Sequence, residues 1–221
     1  MTCAEANLKR AGYIFTVCAS LAVLLWFFPA FHVVPLKQAM AAKEQGVFNA
    51  ADFAAKFWNE RLSPALSHAP DAATILAALD QNPKAAATNY GHTPGMSDTV
   101  YYFMRGTGTV VSVESHGVGV VVRDGTTKPD LLLKTGLLFG NTVRDATGLL
   151  SAGDFPNSQN FNDVSTELNR RVEARVQPAL RTEARVGATV IFAGCLELAE
   201  EESDARPLKL VPLQIEFIAP K

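Results

Sequence analysis

The chain lacks a charge excess of either sign. Among its 221 residues, 20 Lys and Arg stand against 22 Asp and Glu, which gives a net charge of −2 at neutral pH. Domains that bind duplex nucleic acid usually carry a clear basic excess, so this balance disfavours nucleic acid as a partner. A chain that is 48% hydrophobic and 19% charged is also too apolar for an intrinsically disordered protein. The composition therefore indicates a folded domain, with or without an appendage.

Cysteine is scarce. Cys3, Cys18 and Cys195 lie far apart in the sequence, so the C-terminal part of the chain contains no pair that could form a disulfide framework. The residues around Cys195 are apolar and predict a core strand. In such a strand we expect Cys195 to be a buried, inert thiol.

Signatures of catalysis are missing as well. The four histidines show no metal-ligand spacing, and neither a P-loop nor a nucleophile elbow is present. The pair Gly106 and Gly108 precedes a strand rather than a helix, so it is not a dinucleotide fingerprint. Asp145 and Asp154 could form an acid–base pair, but the intervening glycine-containing loop sets no separation between them. We expect no enzymatic activity and no cofactor.

The longest hydrophobic run lies near the N-terminus. Gly12–Val34 contains no Asp, Glu, Lys or Arg, and it is longer than the ~20 residues that cross a bilayer core. Lys9 and Arg10 precede it, and aromatic residues near its far end suit the lipid–water boundary. The run predicts a single-pass transmembrane helix. A cleaved signal peptide is the alternative, but no small-x-small site follows a shorter apolar core.

The orientation of this anchor follows from its flanks. Lys9 and Arg10 on one side are balanced by Lys37 and Lys43 on the other, but the very short basic tail favours a cytoplasmic N-terminus. We therefore expect a bacterial inner-membrane protein with its main domain in the periplasm. The predicted parts are a tail and anchor at residues 1–35, a tether and helical segment at 36–97, and a β-barrel at 98–221.

The patterning after the anchor predicts an α+β fold. Asn49, Asp71 and Asn82 each precede a helical segment and are predicted N-caps. Apolar residues every four positions from Val164 to Leu180 predict one further helix. Runs rich in Val, Tyr and Thr predict strands at Thr99–Arg105, Thr107–Glu114, Val118–Arg123, Asp130–Leu138, Thr189–Leu198 and Leu208–Ile218. This order predicts a curved antiparallel β-barrel of the oligonucleotide/oligosaccharide-binding (OB) type with an inserted helix.

Polar side chains are concentrated in Lys134–Asp163. Arg144 beside Asp145 could fix the loop by ion pairing, or it could present paired donors to a carboxylate or a sugar hydroxyl. The amides supply both donors and acceptors. The candidate ligand-binding residues are Asn141, Thr142, Arg144, Asp145, Asp154, Asn157 and Gln159. The alternative is that these groups satisfy the backbone of a long irregular loop and bind nothing.

Several segments resemble a known family. They are GNTVRDATGLL at 140–150, DFPNSQNFNDVSTELNRRV at 154–172, FNAADFAAKFW at 48–58 and GATVIFAG at 187–194. These segments are similar to DUF2291, a family of predicted periplasmic lipoproteins of unknown function. The resemblance implies an exported, membrane-tethered protein, often encoded near sugar-type ABC transport systems. The lipid-bearing Cys of the family would fall near Phe31 and is absent, so the hydrophobic run itself would have to hold the protein.

We therefore expect a membrane-anchored periplasmic accessory or binding protein, whose partner is a small polar ligand or an ABC transporter component. One alternative is a structural cell-envelope protein without a small-molecule site, and another is an OB-fold binder of nucleic acid or oligosaccharide. Burial distinguishes the first two hypotheses. Inaccessible, hydrogen-bonded Arg144 and Asp145 would indicate a structural role, whereas side chains that converge on an open cleft would indicate binding.

Overall fold

The computed structural model of the protein describes residues 48–95, 97–123, 125–199 and 206–218. The predicted anchor, Gly12–Val34, and the acidic run Glu200–Glu202 lie outside these residues. Within the described part of the chain, no helix is both long and apolar enough to cross a bilayer. The described residues from Phe48 to Ile218 belong to one compact unit. The division at residue 97 stays a prediction.

Helices occupy the start of the described chain. They are α1 (Ala50–Phe57), a π-helical turn (Trp58–Leu62) that joins it to α2 (Ser63–Leu66), α3 (Ala72–Gln81) and α4 (Pro83–Tyr90). The predicted caps are confirmed: Asn49, Asp71 and Asn82 each accept a hydrogen bond from a backbone N–H in the first turn of the helix that follows. These bonds satisfy N–H groups that have no partner within the helix.

The strands form one closed sheet. They are β1 (Gly91–His92), β2 (Thr99–Glu114), β3 (Gly117–Val121), β4 (Leu131–Lys134), β5 (Thr189–Ala199) and β6 (Leu208–Ile218). Their order is β1-β2-β3-β4-β6-β5, and β5 pairs back with β2 to close the barrel.

The expectation of a wholly antiparallel barrel is wrong at one pair, because β4 and β6 run parallel. The ring that closes through β2, β3, β4, β6 and β5 has an odd number of strands. Directions cannot alternate all the way around an odd ring, so at least one neighbouring pair must be parallel. The parallel pair joins Leu131–Leu133 to Leu208–Leu210.

The two strands predicted on either side of Gly106 form one long strand, β2. Its first part pairs with β5, and its last part pairs with β3. Gly108 lies against β3: a Cβ there would be 2.5 Å from the Val120 Cγ1 and 2.5 Å from the Val121 carbonyl oxygen. Glycine thus permits this close approach of β2 to β3.

Helical structure fills the connection between β4 and β5. It comprises α5 (Thr142–Asp145), a 3-10 turn (Ala152–Asp154), α6 (Ser158–Arg175) and α7 (Gln177–Glu183). The single helix expected from Val164 to Leu180 is therefore two helices. Pro178 lies in the first turn of α7, where its missing N–H is tolerated, but it cannot continue α6 as a regular helix.

The fold contains two hydrophobic clusters. The barrel interior, which includes Val120, Leu133 and Phe192, is continuous with Ile75 and Leu79 of α3. The second cluster joins α1 and α6 to the outer face of β5, where Cys195 is fully buried. The predicted burial of Cys195 is confirmed, and this burial raises the pKa of its thiol. β5 is thus covered on both faces, which explains its nearly continuous apolar sequence.

A charged network ties the strand ends at one end of the barrel. Asp130 is 3% exposed and accepts hydrogen bonds from the Val122 and Arg123 N–H groups and from the Arg123 guanidinium. Arg123 also pairs with Asp80 of α3, which in turn pairs with Arg206 just before β6. Burial raises the pKa of Asp130, but the bonds to Arg123 and Val122 outweigh it and hold that pKa below its usual value.

This network predicts acid sensitivity. Because the folded pKa of Asp130 is depressed, its contribution to stability is complete above the unfolded value of about 3.9 and is lost as pH falls through the folded value. We expect the Tm of the wild type to drop below about pH 4. Asp130→Asn should lower stability by about 2–3 kcal/mol at pH 7 and remove part of this acid dependence. Thermal unfolding between pH 7 and pH 2 measures both effects.

The exposed Glu183→Gln variant on α7 is the matched control. Its unfolding curve should follow that of the wild type at every pH. Equal pH dependence in the Asp130→Asn variant and the wild type would contradict the assignment.

Candidate functional site

Arg144 and Asp145 form a buried ion pair on α5. The Arg144 Nε and Nη2 donate to the two Asp145 carboxylate oxygens over 2.7 and 2.9 Å, and each residue is 5% exposed. The Arg144 Nη1 donates to the Asn162 Oδ1 over 3.1 Å, and its guanidinium lies 3.6 Å from the centre of the Phe161 ring. The pair therefore fastens α5 to the start of α6. By the burial criterion stated above, this arrangement favours the structural hypothesis for these two residues.

The two predicted residues before this pair also bond within the protein. The Asn141 Oδ1 accepts from the Ser165 hydroxyl over 2.9 Å, and the Thr142 hydroxyl donates to Glu197 on β5 over 2.7 Å. Thr142 is 7% exposed. These contacts join α5 to α6 on one side and to the barrel on the other.

Tyr101, a buried β2 residue, lies near this cluster. Burial raises the pKa of Tyr101 first, and the nearby Glu197 and Asp145 carboxylates raise it further, while Arg144 opposes them. Tyr101 is 8% exposed and Tyr102 is 2% exposed. Their rings therefore do not provide the exposed stacking surface that single-stranded nucleic acid requires.

The other predicted residues are exposed and lie around the start of α6: Asp154 on the 3-10 turn before it, Asn157 at its N-cap and Gln159 in its first turn. The Asp154 carboxylate accepts from the Ser151 N–H over 2.9 Å, and the Asn157 side chain caps α6 by accepting from the Asn160 N–H over 2.8 Å. The Gln159 amide donates to Asp163 over 2.7 Å. Each of these three side chains has a local structural role, and the structure does not gather the seven candidates around one cleft.

An open groove lies elsewhere, between α4, the start of β2 and the end of β5. Its volume is about 600 Å³, within the range of small-molecule sites. Apolar atoms line most of it, from Leu79, Ala87, Val100, Tyr102 and Leu198. The polar lining comes from Asn82, Lys84, Ser97 and Asp98. Our sequence analysis missed this groove, because its walls come from three separate stretches of the chain and carry no common motif.

A clamped loop was also missed. The backbone of Thr135–Gly140 is held by polar side chains that recur every fourth position on α6 and α7: Ser165, Asn169, Glu173 and Gln177. They form a stripe beside the apolar stripe that predicted the helix. The four-residue spacing of these polar side chains was visible in the sequence, but the loop backbone that they bind was not.

Metal ligation has little support in the described ranges. No group of three or more His, Cys, Asp or Glu side chains is close enough there to hold an ion. The free thiol of Cys195 is buried in the second hydrophobic cluster, away from solvent.

Comparisons with known proteins agree with this architecture. The crystal structure of an OB-fold protein from Thermotoga maritima MSB8 matches with a TM-score of 0.71 and 29% identity, covering 78% of this chain and 100% of that chain. This likeness confirms the predicted OB-like α+β fold of the described domain. A search of the curated proteins found no match. Residues 21–216 match the family model of DUF2291, described as a predicted periplasmic lipoprotein. The chain therefore belongs to the DUF2291 family of predicted periplasmic lipoproteins, as its sequence motifs suggested.

Proposed function

We propose that the protein is a non-enzymatic binding or accessory module of the periplasm, held at the inner membrane by the hydrophobic run Gly12–Val34. The observation that carries this proposal is the open groove between α4, β2 and β5. Its partner in the envelope would be a component of a sugar-type ABC transport system, in line with the family resemblance. The groove, rather than the polar segment Lys134–Asp163, is the ligand site in this proposal.

The chemistry of the groove narrows the ligand class. Leu79, Val100 and Leu198 would cover an apolar body, while Lys84 and Asp98 at the polar part would meet a charged or hydroxylated end. A small amphipathic molecule fits this division better than a highly polar sugar. Burying its apolar part would supply about 25 cal/mol for each Å² removed from water.

We propose a non-enzymatic role because the two candidate acids, Asp145 and Asp154, are bonded within the protein. Both Asp145 carboxylate oxygens bind Arg144, and Asp154 is bound to a backbone N–H of its own turn. An acid–base pair needs carboxyl groups that face a shared substrate. Neither Asp145 nor Asp154 is arranged in that way.

Filling the groove should abolish binding. Ala87 lines the groove from α4, so Ala87→Trp would occupy the space of the ligand. We expect a metabolite panel to contain compounds that raise the Tm of the full-length protein in detergent by about 5–10 °C at saturating concentration. The same compounds should not shift the Tm of Ala87→Trp.

Ala85→Trp is the control, because Ala85 is an exposed residue of the same helix and does not line the groove. This variant should keep the ligand-induced shift. Shifts that persist in Ala87→Trp, or a panel without any hit, would count against the groove as the site.

The structural alternative for the polar segment has its own support, the buried Arg144–Asp145 pair. Removing one partner of such a pair leaves an uncompensated buried charge, which typically costs about 3–5 kcal/mol. We expect Arg144→Ala to destabilise the protein by about that amount while leaving ligand shifts in the groove intact. Denaturant unfolding together with the compound panel measures both effects.

Arg170→Ala is the comparison variant, since Arg170 belongs to an exposed pair with Glu167 on α6. Its effect should stay below about 1 kcal/mol. An Arg144→Ala protein that keeps full stability but loses ligand shifts would instead favour the polar segment as the site.

A further inference from the structure

Two large apolar side chains project from the loop Thr135–Gly140, which joins β4 to α5. Leu137 is 73% exposed and Phe139 is 79% exposed, the highest values among the large hydrophobic residues described. Leu138 between them is 6% exposed and packs in the second hydrophobic cluster. The loop therefore turns one residue inward and presents its two neighbours to the outside.

The loop is held in this shape by hydrogen bonds. Gln177, which is fully buried, accepts from the Gly136 N–H over 3.0 Å and donates to the Gly136 carbonyl over 2.8 Å. Glu173 accepts from the Leu138 N–H over 2.6 Å, and the Gly140 carbonyl accepts from Asn169 over 3.0 Å. Because these hydrogen bonds already order the loop, insertion of Leu137 and Phe139 into an apolar partner would cost little further conformational entropy.

Glycines set the two ends of the loop. Gly136 has a φ of 95° and Gly140 a φ of 83°, a region that other residues rarely adopt. Exposed apolar side chains on a loop built in this way are unlike the flexible, polar loop tips common on protein surfaces.

Basic groups flank the loop. Lys134 precedes it directly, and the exposed Arg181 donates to the same Gln177 oxygen that accepts from the Gly136 N–H, over 2.8 Å. Glu173 is the acid bonded to the loop, and its carboxylate is engaged by the Leu138 N–H. Apolar side chains with cations beside them suit an anionic lipid surface, where the acyl chains contact the apolar side chains and the anionic head groups bind the cations.

The length of the connecting chain supports this occupant. Residues 35–47 separate the predicted anchor from Phe48, and they can extend over at most about 45 Å. A domain tethered so closely meets the bilayer at a high effective concentration. We propose that the loop Thr135–Gly140 docks on the bilayer, with Leu137 and Phe139 inserted at the boundary between head groups and acyl chains. This inference rests on the anchored state in the proposed function, but not on the groove.

The test places a fluorophore at the tip. Full-length protein carrying Phe139→Trp is reconstituted in vesicles of phosphatidylethanolamine and phosphatidylglycerol, with and without lipids brominated on their acyl chains. The emission of the parent protein, from Trp26 and Trp58, is subtracted. We expect the additional emission to be blue-shifted and to lose most of its intensity in brominated vesicles. Replacing phosphatidylglycerol with phosphatidylcholine should reduce this quenching.

Val186→Trp is the matched control, because Val186 is 67% exposed outside the loop. Its emission should remain unquenched. Equal quenching of the two variants, or no quenching of Phe139→Trp, would overturn docking through this loop. Quenching that is the same with and without phosphatidylglycerol would overturn the role of Lys134 and Arg181. An unquenched Trp26 in the parent would instead refute the anchor, and with it the docking that depends on it.

Discussion

Closure of the sheet through β2 and β5 is the constraint on which the rest of the structure depends. β2 is long enough to pair with β5 over Thr99–Thr109 and with β3 beyond that point. The closed ring has an odd number of strands, which forces the parallel contact between β4 and β6. Closure also gives the barrel an inside, which α3 covers at one end, and an outside, on which α1 and α6 pack.

The polar segment between β4 and α6 is explained by this outer layer. A chain that leaves β4 and must reach a helix packed on β5 passes over an apolar surface, where its backbone groups need partners. Side chains of α6 and α7 supply these partners for the loop backbone. Arg144, Asp145 and Thr142 bond to other side chains and so hold α5 against α6 and the barrel. The same polar density that suggested a binding site is therefore used to attach the loop.

The two surfaces that we propose for function lie elsewhere. The groove beside α4 is concave and mostly apolar, whereas Leu137 and Phe139 project from a loop whose backbone is held by hydrogen bonds. A concave site suits a small molecule, and projecting apolar side chains suit a lipid surface. These two features are the ones on which our proposal of a tethered, ligand-binding module is based.

Local signals in the sequence were sufficient to predict most of the helices and strands. Asn49, Asp71 and Asn82 capped the helices they were expected to cap, because a cap requires only a side-chain oxygen and the backbone of the next turn. Glycine was harder to interpret. Gly106 suggested a break between two strands, but it lies within β2 and pairs with β5. Whether a glycine ends a strand or lies within it depends on the partner strands, which the local sequence does not show.

By itself, the sequence determined the OB-like α+β class, the burial of Cys195 and the membership of the family, since these depend on patterns along the chain. Only the tertiary structure decided that the Arg144–Asp145 pair is buried, that three separate stretches of the chain enclose a groove, and that Phe139 points outward. The Arg144–Asp145 contact joins neighbours in the chain, but its burial, the groove and the outward position of Phe139 all depend on packing between residues far apart in the chain. Such contacts are set by barrel closure and helix packing, which no local spacing encodes.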